Sequence, residues 1–491
     1  MRIKFIISKK FCGVNIPFYL LLFFLLLTGC RKFIEVDAPY TSFNGNNVYT
    51  TDATAISAVT AMYTQLGGAT GFSENQLNSM IVAVCTGLSA DELSLAGSAS
   101  ANLKSYYTNS LGANSAPLFW TNIYSLVYLA NAAIEGLNSS NSLTPAVKQQ
   151  LLGEAKFMRA FSYFYMVNLY GDVPLGLSTD YKMNSLMART SASTVWQQII
   201  TDLMDAKDLL KTSYVGADVV TSSTTTRLRP NKWTAAALLA RAYLYTDKYV
   251  EAEAEATAII NSSSTYTLSS TNNAFLKDLS ASKEAIWQIQ TITADWNTND
   301  ARVFILPDTG PDGLSYPVYL NKRLVDDFEP GDNRKTNWIK GIEVGIDSFY
   351  YAYKYKSATQ GEPVTEYNTV FRLAEQYLIR AEARAMQNKF QQAIDDVNII
   401  RLQHGELSTP LSAPSTQSDA MKVVLHERRV ELFCEWGHRW LDLKRTNKVD
   451  DIMSAETLLK GGTWESTDKL FPIPANDLKI NPNLTQTPGY H

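Results

Sequence analysis

The chain has 491 residues, 45% of them hydrophobic, so it is long enough to bury a large core. Its 44 Lys+Arg against 48 Asp+Glu give a formal net charge of −4, which excludes the strongly basic balance of a nucleic-acid or anionic-lipid binder. Four Cys are too few for a disulfide framework, and His404, His426, His438 and His491 form no HExxH or His-x-His spacing, so neither a metal site nor a cofactor is expected.

At the N-terminus, Arg2, Lys4, Lys9 and Lys10 precede an uncharged apolar run over residues 17–27 that ends in Leu27-Thr28-Gly29-Cys30. That is the layout of a secretory signal. The run falls short of the roughly 20 apolar residues a helix needs to cross a ~30 Å hydrocarbon core, so it is not read as a permanent span. The small pair followed by Cys30 resembles the lipobox of bacterial lipoproteins, which implies removal of residues 1–29 and acylation of Cys30. Cleavage there deletes four basic residues and no acidic one, leaving 40 basic against 48 acidic residues in a single mature domain, 30–491. Cys85 follows the apolar stretch Ile81-Val82-Ala83-Val84 and Cys434 sits in a helical pattern, so both are expected as buried thiols.

From 50 to 138 the pattern is mostly helical, with Trp120, Ile123, Tyr124, Val127, Tyr128, Ala130 and Ile134 at three- and four-residue steps. Between Leu93 and Leu118 the composition turns to Ser, Ala, Asn and Gly around Tyr106-Tyr107, which predicts a long surface loop. Thr144-Pro145 opens and Gly171 closes a long helix whose Phe157, Phe161 and Phe164 form one stripe and Leu151, Ala155, Met158, Tyr165 and Leu169 another. Apolar groups on most of its circumference place it at the centre. A further helix is expected over 194–210, capped by Ser193 or Thr194.

Two stretches coincide when slid by 141 positions: Ala240-Arg241-Ala242 with Asp247-Lys248-Tyr249, and Ala381-Glu382-Ala383 with Asn388-Lys389-Phe390. Both read as tetratricopeptide-like helical hairpins in which small alanines let paired helices approach. Residues 261–370 break the helical period and predict loops with short strands, yet hold Trp287, Trp296, Tyr316, Tyr319, Trp338 and Phe349 among many other aromatics. The scaffold is therefore placed at about 50–260 and 371–450, with the loop-rich, ligand-side region between.

Several segments now resemble the SusD/RagB family of nutrient-binding lipoproteins. They are Tyr170-Gly171-Asp172-Val173-Pro174-Leu175, the block His426-Glu427-Arg428-Arg429-Val430-Glu431-Leu432 with Gly437-His438-Arg439-Trp440-Leu441-Asp442-Leu443-Lys444-Arg445, and the tail Phe471-Pro472-Ile473-Pro474 with Asn481-Pro482-Asn483-Leu484 through Gly489-Tyr490. The resemblance implies a mainly α SusD-like fold with tetratricopeptide-like hairpins. It also implies a lipid-anchored protein at the surface of the outer membrane that binds a glycan, or in some relatives a peptide, for a SusC-type TonB-dependent transporter.

Those signatures leave the ligand contacts open, so physical chemistry chooses the candidates. A pyranose ring packs its C–H face on an indole or phenol while its hydroxyls seek Asn, Asp and Arg. Loop residues of these types are Asp91, Tyr106, Tyr107, Trp296, Asn297, Arg302 and Trp338. A glycosidase reading rests on Glu427, Glu431 and Glu435 at i, i+4 and i+8. Carboxylates on one helix face point the same way, about 6 Å apart, whereas hydrolysis needs them on opposite sides of the bond. With Arg428, Arg429, Arg439, Lys444 and Arg445 at hand, structural ion pairs are expected and no enzyme. An envelope scaffold binding only proteins is the other alternative.

Overall fold

The structure, a computed structural model, describes residues 48–68, 78–114, 118–223 and 225–490. The expected signal 1–29 and Cys30 lie outside the described residues.

The first helix, α1 (Asp52–Gly67), is capped by Thr51 Oγ1, which accepts from the Thr54 N–H at 3.3 Å, and buries Ala55, Val59, Met62 and Leu66. Next come α2 (Ser79–Ser89), buried at every position, β1 (Leu93–Leu95) and α3 (Ala101–Tyr107). The long loop expected between Leu93 and Leu118 is thus partly ordered into a strand and a short helix. Ser100 caps α3 through the Leu103 N–H at 3.2 Å, and Leu103 and Tyr106, one turn apart, pin it to the core. Two apolar anchors suffice there, which a Ser-, Asn- and Gly-rich composition conceals.

After α4 (Leu118–Ser139) comes α5 (Pro145–Tyr170), the central helix that the sequence predicts. It starts at Pro145 and ends where Gly171, at φ +73°, takes a left-handed conformation and donates to the Val167 carbonyl at 3.0 Å. Residues 157–167 are buried without interruption. Phe161 meets Trp287 and Trp436 edge-on with centroids 5.6 Å away in each case, an arrangement that adds ~0.5–1.5 kcal/mol per pair beyond area burial.

The short α6 (Tyr181–Asn184) precedes α7 (Ala192–Leu209), whose cap is Ser191, two or three residues before the expected position. Three hydroxyl residues lie close together there, and Ser191 is the one whose Oγ reaches the Thr194 N–H.

Then come α8 (Lys232–Tyr245), α9 (Tyr249–Ile260), β2 (Ala285–Ile289), α10 (Asn299–Phe304), β3 (Val318–Leu320), α11 (Lys322–Asp326) and α12 (Asn333–Trp338). The chain continues through β4 (Ile339–Val344), β5 (Asp347–Ala352), β6 (Asn368–Arg372), α13 (Leu373–Met386), α14 (Phe390–Gln403), α15 (Gln417–Leu432), α16 (His438–Arg445), α17 (Val449–Leu459) and α18 (Ala475–Ile480). The strands form three antiparallel pairs, β1 with β3, β2 with β6, and β4 with β5. Among the described residues, β2 to β6 fall in or at the edge of the stretch expected to hold loops and short strands, which also contains the short helices α10, α11 and α12, whereas β1 comes from well upstream.

Both repeat hairpins are present, α8–α9 and α13–α14, and they pack through Ala240, Ala252, Ala256 and Ala383. Their turns share one geometry. Asp247 and Asn388, at φ +58° and +61°, are followed by Lys248 and Lys389, whose N–H groups reach back to Tyr243 O and Arg384 O at 2.9 Å each. A third hairpin, α16–α17, uses the same turn: Asn447 stands at φ +54° and the Lys448 N–H bonds Leu443 O at 2.8 Å. Asp and Asn tolerate the left-handed region better than other non-glycine residues, which is why the motif spells Asp/Asn-Lys each time. Cys85 and Cys434 are buried thiols that do not bridge, as expected.

Candidate functional site

Glu427 and Glu431 of α15, together with Glu435, which lies just past the end of that helix rather than on its face as its spacing suggested, are locked into a buried ion lattice. Glu427 accepts from Arg334 Nη1 at 2.5 Å, and Glu431 from Arg334 at 2.9 Å, Arg372 at 2.5 Å and His404 Nδ1 at 2.8 Å. Glu435 takes a fork from Arg372 Nε and Nη2 at 2.8 and 2.9 Å and a further bond from Lys354. Glu284 joins from the start of β2 through Arg372 at 3.2 Å and His404 Nε2 at 3.1 Å. No carboxylate of this row faces solvent, and each is held by cations, the structural role its spacing suggested.

Glu284, His404 and Glu431 bring one ligand atom each within 4.8 Å of one another, as metal ligands do. Arg372 already bridges both carboxylates, and each imidazole nitrogen faces a carboxylate. Burial works against charge on His404, but Glu284 and Glu431 raise its pKa to about 10, so the imidazolium itself supplies the positive charge.

A stability consequence follows. An unfolded histidine titrates near 6.5, so the pair energy of His404 is fully present below about pH 6.5 and is lost as pH rises toward 10. Lys444 and Lys460, lowered to about 7 by burial, act in the opposite direction over the same window. The quantity to measure is therefore the difference in unfolding free energy between wild type and His404→Leu. It is expected to be on the order of a few kcal/mol at pH 6 and to shrink steadily toward pH 10; a difference constant with pH would refute the charged imidazole.

The ligand candidates separate by burial. Asp91 is inside, forked by Arg439 at 2.7 and 2.8 Å and paired with Arg429 at 3.0 Å; burial opposes its charge, but the arginines hold its carboxyl well below the usual range. Tyr106 is fully buried with its ring 5.4 Å from Phe471. Trp338 is fully buried beneath the ion lattice, donating to Thr271 O at 2.9 Å, with Lys354 Nζ 4.8 Å from its ring. Asn297 is buried as a clamp: its Oδ1 accepts from Thr365 and Glu366 N–H at 2.8 and 2.9 Å while Nδ2 donates to Ser357 Oγ at 2.9 Å. These four positions are corrected from ligand contacts to internal supports, because a ligand meets no surface there.

Trp296, Arg302 and Tyr107 remain at the surface, partly exposed. Asp295, at φ +63°, turns the chain out of the core, and the Asn297 clamp and the α10 cap, Thr298 Oγ1 to Ala301 N–H at 3.0 Å, fix the residues that follow. Trp296 is therefore presented from a rigid base. The Arg302 guanidinium lies 3.9 Å from its ring centroid, a contact worth ~0.5–1 kcal/mol at an exposed site.

Tyr316 lies near Arg302, and Tyr319, three residues on, lies near Tyr107 and stacks edge-on against Phe349 at 5.0 Å. The segment 316–319 thus links the two exposed candidate groups. Tyr319 was legible in the alternation Val318-Tyr319-Leu320, since β3 buries Val318 and Leu320 and turns Tyr319 outward. The same 290–298 loop that carries Trp296 also walls, through Gln290, Thr291 and Ile292, a groove of about 890 Å³ against Ile56 and Thr60 of α1 and Arg229. Its volume lies within the ~300–1,000 Å³ typical of ligand clefts.

The hairpin scaffold, the buried ion lattice and the braced surface aromatics together belong to a mostly helical protein with short paired strands. Two sequence profiles match: that of the SusD family over residues 290–490, and one described as starch-binding associating with outer membrane over 48–244. A SusD-like protein of Formosa agariphila is 26% identical over 98% of this chain and all of its own length. A SusD superfamily protein from Bacteroides vulgatus superposes with a TM-score of 0.76 at 20% identity, covering 89% of this chain and 99% of its own. Surface glycan-binding protein A from Bacteroides uniformis does so with a TM-score of 0.73 at 20% identity over 89% and 99%. The chain belongs to the SusD/RagB family, and its fold is that of the SusD superfamily.

Proposed function

We propose that the protein captures a glycan at the outer face of the outer membrane, without turnover, and delivers it to a SusC-type TonB-dependent transporter. The observation that carries this reading is Trp296, partly exposed and rigidly presented, with Arg302 against one face of its indole. The remaining ring surface suits the C–H face of a sugar, and Arg302, Tyr316, Tyr319 and Tyr107 offer hydrogen-bonding groups around it. Asn297 braces that surface from within. Outer-membrane association and glycan binding are properties carried in the names of a matching profile and of a structural relative. In this reading residues 1–29 are removed on export and Cys30 becomes the lipidated start of one domain, 30–491.

The test is affinity electrophoresis of the soluble chain from residue 31 across a glycan panel, with reducing-end assays on the same samples. Retardation by one polysaccharide without new reducing ends supports capture. Released ends would overturn the non-enzymatic reading, and silence across the panel would favour a peptide ligand or a purely protein-binding scaffold. Trp296→Ala is expected to weaken binding about tenfold or more, the effect of removing an aromatic anchor, with an unchanged thermal melt. Equal affinity in a folded variant would take Trp296 out of the site.

A further inference from the structure

A second pocket lies apart from the Trp296 loop, between α4, the chain from Pro174 to Met187, and the C-terminal tail around α18. It is built where two of the sequence signatures meet, since Pro174 belongs to the Tyr170–Leu175 motif and Asn481 and Leu484 to the tail motif. Nothing in the capture surface uses either of them.

The walls are pinned by hydrogen bonds that cross long stretches of sequence. Tyr124 Oη donates to Pro174 O at 2.8 Å, Tyr163 Oη and Asn131 Nδ2 donate to Gly176 O at 2.8 and 3.0 Å, and Asn481 Nδ2 donates to Met187 O at 2.7 Å. Asn131 is itself held by Arg159 Nη1 at 2.9 Å. A pocket whose walls are fixed in this way loses little entropy on binding.

Its chemistry is specific. Tyr128 contributes a ring that is 55% exposed beside Tyr124. Asn184 spends its Nδ2 on Ser178 O at 2.8 Å, and its Oδ1, shielded from solvent, has no partner among the described residues. Asp477 is half-buried, with a bond from the Trp120 side chain as its side-chain partner. The pocket therefore offers an aromatic face, Tyr128, together with the half-buried Asp477 carboxylate as a hydrogen-bond acceptor. At about 290 Å³ it sits at the lower end of the ligand-cleft range, room for one ring-sized unit.

We propose that this pocket is a second saccharide site, taking a single sugar unit with its C–H face on Tyr128 and a hydroxyl donating to Asp477. Such a site would engage a glycan at a second point and raise the avidity of a protein otherwise dependent on one aromatic surface. It stands independently of the Trp296 surface, and the experiment separates the two.

The experiment is saturation-transfer-difference NMR on the full mature lipoprotein in a detergent without a sugar headgroup. The probes are the methyl glycosides of glucose, galactose, mannose, xylose, fucose, rhamnose and N-acetylglucosamine. At least one glycoside is expected to show transfer that persists in Trp296→Ala and falls at least fivefold in both Tyr128→Ala and Asp477→Asn. Tyr128 is a surface position, so its loss tests the site without threatening the fold. The proposal is overturned if no glycoside shows transfer, if Trp296→Ala alone abolishes it, or if Tyr128→Ala leaves it unchanged.

Discussion

Arg372→Ala is expected to lower the free energy of unfolding by about 3–5 kcal/mol, the cost of leaving buried carboxylates without their cation. Arg372 is fully buried and touches Glu284, Glu431 and Glu435 at once, with a further bond from Nη2 to the Glu431 carbonyl at 2.7 Å. Burial works against charge on Glu431 and Glu435, and the surrounding cations hold both ionised in spite of it. Removing the guanidinium leaves their negative charges in a dry interior with only Arg334, His404 and Lys354 to balance them. Arg372→Lys is expected to recover only part of the loss, since an ammonium cannot fork onto Glu435 while bridging the other two. Guanidinium melts of the three proteins provide the measurement. A loss below about 1 kcal/mol for the alanine variant would mean that the lattice contributes little to holding the fold together.

Cys30→Ala is expected to move the protein entirely from the membrane fraction to the soluble fraction. The proposed anchor is the acylated thiol, and each buried methylene contributes ~0.8 kcal/mol, so more than one chain on a single residue gives stable attachment where one alone is marginal. Among the described residues, no helix is long and apolar enough to cross a membrane. Fractionation with a carbonate wash reads the outcome. A variant that stays with the membrane after the wash would show that something other than Cys30 holds it there.

The scaffold was legible because its signals are local. The Ala240-Arg241-Ala242 and Ala381-Glu382-Ala383 spacing, followed by Asp-Lys-Tyr and Asn-Lys-Phe, encodes helix, left-handed turn and helix within a short stretch. The third hairpin escaped notice because Thr446-Asn447-Lys448-Val449 carries the turn without the alanine pattern before it. The candidate surface was less legible. Trp296 and Trp338 both stand in aperiodic sequence and look alike there, yet one is presented outward by the Asp295 turn and the other is sealed beneath Lys354 and His404. What distinguishes them is contact with residues far away in the chain, which no window of sequence contains. Asp91 illustrates the same limit, since its partners lie more than 330 residues downstream.

The ion lattice also bears on how fast the molecule comes apart. Its members are drawn from α12, β6 and α15 and from residues flanking β2, β5, α14 and α15, with His404 and Glu284 separated by 120 residues. A partly assembled version would strand charges in a dry interior, so the lattice is worth little until nearly every segment is in place. Interactions that form late on the folding route act mainly on the unfolding rate. The lattice is thus expected to act as a latch that slows unfolding more than it changes the folding rate.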